Sequence, residues 1–250
     1  MANLTARAAA PQFKLQASTV YFSDPKARAL LDAAFAGDLA RAQQAVADGA
    51  DPNAEGPRDN PYNRLRLLHF AIAADNRLAV RTLMLVGADA QLATLGGSGP
   101  ALLFAITLDK PELLAEMLAV KPISALTPHA LDTVLFESIT RDRPRCLAVL
   151  LKAGAPIDHQ DEAGYTLLMR ALTTEDFDLA LWLIEQGASV TAHGRDNTAA
   201  YLIQFLLQKS APGTARYSIL MQLKELAAAR GAVFPAKSPK ELREARQKLG

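Results

Sequence analysis

Leu67-Leu68-His69-Phe70-Ala71-Ile72-Ala73-Ala74-Asp75-Asn76-Arg77-Leu78-Ala79-Val80-Arg81-Thr82-Leu83-Met84-Leu85-Val86-Gly87-Ala88-Asp89 carries the pattern that decides the fold. A short apolar run over 67–74 is followed, after a polar break, by a second run over 78–86. In the second run apolar residues recur three and four apart, which places them on one stripe of a helix. Gly87-Ala88 closes that run, and the same closure appears at Gly49-Ala50, Gly154-Ala155 and Gly187-Ala188. A small or apolar residue in the first run of each unit keeps the phase: Ala33, Ala71, Ala105, Ser138, Ala171 and Ile203, at steps of 38, 34, 33, 33 and 32. Units of this length, each a turn and two helices, cannot bury their apolar faces alone and must stack.

Working outward, paired runs are predicted at 26–36 and 39–47, 67–74 and 78–86, 101–107 and 112–119, 131–140 and 145–152, and 167–173 and 178–186. A longer last pair, 197–209 and 216–230, reads as the cap that shields the end of a stack. The fold class is therefore all-α, a solenoid of about six helix pairs, the terminal one a cap, joined by short finger turns. Three segments follow: an extended N-terminal arm over 1–22, the repeats over 23–234, and a charged C-terminal helix over 235–250. Ser23-Asp24-Pro25 opens the first helix with a cap residue and a proline, and Ser238-Pro239-Lys240-Glu241 forms a capping box before the last. The 38-residue first step reflects a long turn-rich connector, Glu55 to Arg66.

Half of the 250 residues are apolar, which argues against disorder over most of the chain. The net charge of +1 gives no electrostatic case for nucleic acid. The charge is uneven, however: residues 1–28 and 237–250 are each basic by three, and the repeats between them are acidic by five. A single cysteine, Cys146, excludes an intrachain disulfide and a cysteine-based metal site. The longest charge-free stretch, 90–108, is broken by Gly96-Gly97-Ser98-Gly99-Pro100, so no transmembrane segment is expected. The first twenty residues lack the apolar core of a signal peptide. The compartment expected is the cytoplasm as written, or the periplasm if a signal was removed before Met1.

Leu68-His69-Phe70-Ala71 and Thr166-Leu167-Leu168-Met169-Arg170-Ala171 are similar to the Thr-Pro-Leu-His-x-Ala element of ankyrin repeats, and Gly49-Ala50-Asp51-Pro52-Asn53-Ala54 resembles the family's turn. The resemblance covers about residues 25 to 233 and implies a protein-binding surface on the concave side. A narrower resemblance rests on Tyr21-Phe22-Ser23-Asp24-Pro25, on His159 to Met169, on Asn197-Thr198-Ala199-Ala200-Tyr201 and on Arg230 to Pro235. These look like the bacterial ankyrin proteins that accompany lipase effectors of the type VI secretion system. That resemblance implies an immunity protein that binds and inhibits a toxic phospholipase. The alternative is a general intracellular ankyrin scaffold with another protein partner.

The four histidines, His69, His129, His159 and His193, fall on different units with no i, i+4 pair, so no metal site is expected. There is no Gly-x-Ser-x-Gly elbow and no phosphate loop, and neither enzymatic activity nor a cofactor is expected. His69 occupies the repeat's usual histidine position, where an imidazole ties adjacent turns. The long connector gathers planar donors and an aromatic ring on a projecting finger: Arg58, Asp59, Asn60, Tyr62, Asn63, Arg64 and Arg66. Tyrosine and arginine are frequent interface anchors, because they combine contact area with directional bonding. The same reasoning nominates Gln160, Glu162, Tyr165 and Arg170, and on the last finger His193, Arg195 and Asp196. The partner is expected to be a protein, and the free chain a monomer.

Overall fold

The computed structural model of the chain describes residues 9–57, 64–194 and 197–248. They fall in two compact units, one of residues 6–155 and one containing residues 156–250. In the first, a helical turn α1 (Ser18–Tyr21) precedes four helix pairs: α2 (Pro25–Phe35) with α3 (Leu39–Ala47), α4 (Leu67–Ala73) with α5 (Arg77–Leu85), α6 (Ala101–Thr107) with α7 (Pro111–Val120), and α8 (Pro128–Thr140) with α9 (Pro144–Lys152). A two-residue hairpin, β1 (Glu55–Gly56) antiparallel to β2 (Leu65–Arg66), closes the base of the first finger, with Glu55 opposite Arg66. The second unit holds α10 (Leu167–Thr173) with α11 (Phe177–Glu185), α12 (Ala199–Gln208) with α13 (Ala215–Ala229), and α14 (Pro239–Gln247).

The repeating marks in the sequence have a common mechanical cause. Each outer helix that ends in Gly-Ala closes through a glycine with positive φ, 103° at Gly87 for example. The following alanine N–H then reaches back five residues, as Ala88 N does to Leu83 O at 2.9 Å. This satisfies carbonyls that a helix end leaves without partners. Gly231-Ala232 repeats the device after α13, bonding to Ala227 O. The α7 helix lacks the glycine and leaves through extended backbone at Lys121 instead.

Inner helices close the same way, but mostly without glycine. Gly37, Asp75, Asp109, Asp142 and Glu175 all have positive φ. The residue after each bonds back to the phase-keeping position: Asp38 to Ala33, Asn76 to Ala71, Lys110 to Ala105, Arg143 to Ser138 and Asp176 to Ala171. Those positions are almost fully buried, as the close approach of paired helices requires. Buried Ser138 donates its hydroxyl to Val134 O at 2.6 Å, so its polarity costs little. Several helices start on a side-chain cap, including Asp38, Asn76, Thr127, Thr166, Asp176 and Thr198.

Two elements differ from the sequence expectation. The arm is not extended throughout, because Ser18–Tyr21 makes one helical turn. The α8 helix begins at Pro128, three residues before the apolar run, because Thr127 caps it and Pro128 takes a position that needs no N–H.

In the first unit, inner helices pack on inner helices and outer on outer, and the core lies between the two layers. Leu30, Leu83, Ile106, Leu114, Leu135 and Leu147 are among its fully buried side chains. On the outer layer, Glu116 of α7 is buried between Arg77 and Arg81 of α5, with Arg77 Nε at 2.6 Å and Arg81 Nη1 at 3.2 Å. Burial pushes the Glu116 carboxyl up, but the two guanidinium bonds outweigh it and hold the group below its ordinary range. Arg145 of α9 pairs with Glu112 of α7 at 2.7 Å. Buried Cys146 faces Asp109, and burial first, then that carboxylate, pushes its thiol up to about 12.

Candidate functional site

Two surfaces carry the residues that composition and spacing nominate, and each belongs to one unit. In the unit of residues 6–155 the fingers are tied at their bases by side chains that accept backbone N–H groups from the next finger. Asn53 Oδ1 accepts from Asp89 N at 2.7 Å, Glu55 Oε1 from Leu95 N at 2.6 Å, and Gln91 Oε1 from Thr127 N at 2.9 Å. Arg66 completes the joint. Its guanidinium donates to Asn53 O at 2.7 Å and to Ala93 O at 2.9 Å, and lies 3.3 Å from the Glu55 carboxylate. Only 18% of that side chain is exposed, so Arg66 organises the finger from within. Arg64 Nε donates to Pro57 O at 3.1 Å on the same finger. Arg58, Asp59, Asn60, Tyr62 and Asn63 lie outside the described residues.

The inner-helix face of this unit is aromatic. Phe70 of α4 and Phe104 of α6 stand at equivalent positions 34 residues apart. Phe70 is covered by Tyr21 and Phe22, with ring centroids 5.6 and 5.8 Å away, and touches Phe35 at 5.9 Å. Phe104 receives the arm's Phe13 edge-on at 5.6 Å and flanks His69 at 5.2 Å. His69 bonds through Nε2 to Gly99 O at 2.9 Å, one finger along, and is fully buried. Burial lowers its pKa to about 4; the Gly99 bond opposes this, and the nearby Arg66 charge adds to it. The imidazole is therefore neutral at physiological pH and acts as a tie between turns. Beside this face, finger 89–100 and α8 enclose a pocket of about 410 Å³, lined by Gln91, Leu103, Thr127, His129 and Val134 among others.

Sequence reasoning gave the arm no site role. The signal was present in Phe13 and Leu15 and in Val20-Tyr21-Phe22, large apolar positions in a stretch of otherwise small or polar residues. Without a helical stripe, periodicity could not say what they pack against.

In the unit containing residues 156–250, finger 156–166 is built around Asp161. Its Oδ1 accepts from Tyr165 N at 2.8 Å, and its Oδ2 pairs with the Arg170 guanidinium of α10. That guanidinium lies 5.4 Å from the Tyr165 ring centre, in cation–π contact. Gln160 Nε2 donates to His193 O at 3.0 Å, and Asp158 accepts from Ser189 N at 2.8 Å. The two fingers approach so closely that a Cβ at Gly194 would stand 2.4 Å from Gly164 O. Gln160, Glu162 and His193 are exposed, Gln160 with its amide bonded to the neighbouring finger, while Tyr165 and Arg170 are half-buried. The structure thus brings Gln160, Tyr165 and His193 onto one pair of fingers braced by Arg170 of α10, with Glu162 near the tip. Arg195 and Asp196 lie outside the described residues. His193 also borders a pocket of about 360 Å³, closed by Pro235, Ala236 and the Leu242 side chain of α14.

Among the described residues, no group of three or more His, Cys, Asp or Glu side chains is placed to hold a metal ion. No helix among them is long and apolar enough to cross a membrane.

Residues 135–184 match the family of ankyrin repeats in many copies. No curated protein sequence matches the chain. Among solved structures, the ankyrin repeat domain of Bcl-3, described as a unique member of the IkappaB protein family, is similar with a TM-score of 0.62 and 21% identity. The match covers 85% of this chain and 90% of that one. The human ASB11 ankyrin repeat domain is similar with a TM-score of 0.53 and 22% identity, over 85% of this chain and 90% of its own. EF0377, an ankyrin repeat protein, is similar with a TM-score of 0.51 and 22% identity, over 81% and 97%.

Proposed function

Starting from the ankyrin-repeat fold, we propose that the chain is a protein-binding module that neutralises a secreted antibacterial lipase by covering it. The observation that carries the binding part is the finger pair of the unit containing residues 156–250. Asp161, Tyr165 and Arg170 hold its base, Gln160 bridges its two fingers, and Glu162 and His193 are exposed. A surface fixed before contact loses little freedom on association, which favours tight binding. The lipase part is supported by the sequence resemblance carried by Tyr21 to Pro25, His159 to Met169 and Asn197 to Tyr201. Within that resemblance, Tyr21 and Phe22 cover Phe70, and Asp161, Tyr165 and Thr166 build the finger.

The inhibitory step is steric: a partner enzyme whose active-site entrance lies under the fingers is closed to its lipid substrate. The test is a pull-down of the tagged chain from its native cell extract, with any captured lipase assayed alone and in complex. Stoichiometric capture with loss of lipase activity is the expected result. Capture of a lipase that stays fully active removes the inhibitor reading. Capture of unrelated proteins alone leaves a general ankyrin adaptor. Exchanging Glu162 for lysine on the folded finger is expected to weaken capture at least tenfold, as a reversed interface charge does against a matched partner.

A further inference from the structure

The N-terminal arm lies on the inner-helix face of the unit of residues 6–155, and its two halves are held very differently. The proximal half is anchored. Tyr21 and Phe22 are 2% and 3% exposed and pack on Phe70, and Gly56 lets the finger backbone pass directly against Tyr21 O. The distal half, 9–17, rests on the next repeat with Phe13 against Phe104. Leu15 is half-buried beside it, while Pro11, Gln12, Lys14, Gln16 and Ala17 are exposed. Ala9 O accepts from Arg143 Nη2 at 3.5 Å, the outer limit of a hydrogen bond. The turn α1 separates the two halves.

The same position of successive inner helices, Phe70 and then Phe104, therefore receives the same kind of ligand: an aromatic side chain from a polypeptide segment lying across the repeats. In one repeat that segment is built in. In the next it is held through the Phe13–Phe104 ring contact and a long hydrogen bond from Arg143, so this stretch of arm is a displaceable ligand and not part of the core.

We propose that the seat at Phe104 is a docking groove for an extended segment of a partner protein with an aromatic residue and a second apolar residue two positions on. The arm's Phe13-Lys14-Leu15 occupies it in cis until that segment displaces it. The proposal rests on the protein-binding reading above and adds where and what the face binds. A tether of this length keeps the arm at an effective concentration in the millimolar range, so the arm screens out weak ligands and yields to strong ones. The partner's segment and the arm share one chemistry, and the arm is its template.

The test uses the full chain and a fluorescein-labelled synthetic peptide with the sequence of residues 6–17. Wild-type chain is expected to bind it weakly, because the groove is already filled. The full-length Phe13→Ala variant is expected to bind at least tenfold tighter by fluorescence anisotropy, at one peptide per chain. Adding Phe104→Ala to that variant, or replacing the peptide's own phenylalanine by alanine, is expected to abolish the gain. Circular dichroism melts verify that each variant is folded. If the variant shows only an altered melt, Phe13→Ser in the full chain provides a second opening of the groove with the same readout.

Equal binding by wild type and a folded Phe13 variant overturns the proposal, as does indifference to the peptide's phenylalanine. A variant that binds no peptide up to millimolar concentrations overturns it too. Dimers that form by exchanging arms, seen by size exclusion and lost with Phe13→Ala, would make a second copy the occupant and overturn the partner assignment. None of these results depends on a lipase. Failure of the peptide experiment leaves the capture experiment standing, and the reverse.

Discussion

His69 shows how much a single residue can report. Its imidazole is fully buried and accepts no charge readily, with a pKa of about 4 against 6.5 for an unperturbed histidine. The unfolded chain therefore binds a proton at this site between pH 6.5 and 4 that the folded chain does not. Stability is complete above pH 6.5 and falls as the pH drops towards 4, by about 3 kcal/mol from this one group. Urea melts at pH 7.5, 5.5 and 4.5 are expected to lose that much more in wild type than in His69→Gln, which has no proton to take up. Cys146 gives the opposite reading. With its thiol raised to about 12 and buried, it holds almost no thiolate at neutral pH. Ellman's reagent is expected to leave it unmodified in the native chain and to label it fully in denaturant; labelling at the native rate of free cysteine would mean the seam is open. The tie made by His69 was legible in the sequence because its place in the repeat is diagnostic. The role of Arg66 was not. Its partners are backbone carbonyls 13 and 27 residues away, and an arginine next to Tyr62 and Arg64 in sequence reads equally well as an interface anchor.

At the scale of elements, the helix pairs were legible because their phase is set by a small residue every 32 to 38 positions and their outer ends by Gly-Ala. The inner-helix ends were less so. Only Gly37 announces a left-handed residue, whereas Asp75, Asp109, Asp142 and Glu175 take the same conformation with side chains that do not advertise it. Aspartate tolerates this region better than most residues, and the recurrence of the backbone bond to the preceding helix compensates its cost. The first finger holds a sharper constraint. A Cβ at Gly56 would stand 1.8 Å from Tyr21 O and 2.9 Å from Tyr21 C, both backbone atoms with no room to retreat. Gly56→Ala is expected to cost about 2 kcal/mol or more. The loss should appear as a lower melting temperature together with faster amide exchange at Phe22. A variant that melts with wild type would mean the arm can lift off its anchor at no cost.

At the scale of the molecule, stability in a stack of repeats is a sum over units and their shared faces. Leu83 sits at such a face, fully buried on α5. Leu83→Asp places a charge there with no partner, an expense of several kcal/mol. It is expected to remove a large part of the helical ellipticity at 222 nm, because the neighbouring pairs of residues 6–155 lose their shared face as well. Retained ellipticity and an unchanged melt would place Leu83 off the core. The architecture at this scale was legible in the period alone. What covers the inner-helix face was not, because the contact between Phe13 and Phe104 joins positions 91 residues apart with no repeat to relate them.

The joint formed by Asn53, Glu55 and Arg66 has one more consequence. Its bonds lie at the root of the first finger, where β1 meets β2, so the registration of the first two fingers is set by residues on either side of the loop. Because these bonds hold the register at the root, a change in the length of the loop between them adds only the slowly growing cost of closing a longer loop. A protein engineer can therefore graft a foreign loop onto this root and read its effect against a register that the root itself maintains.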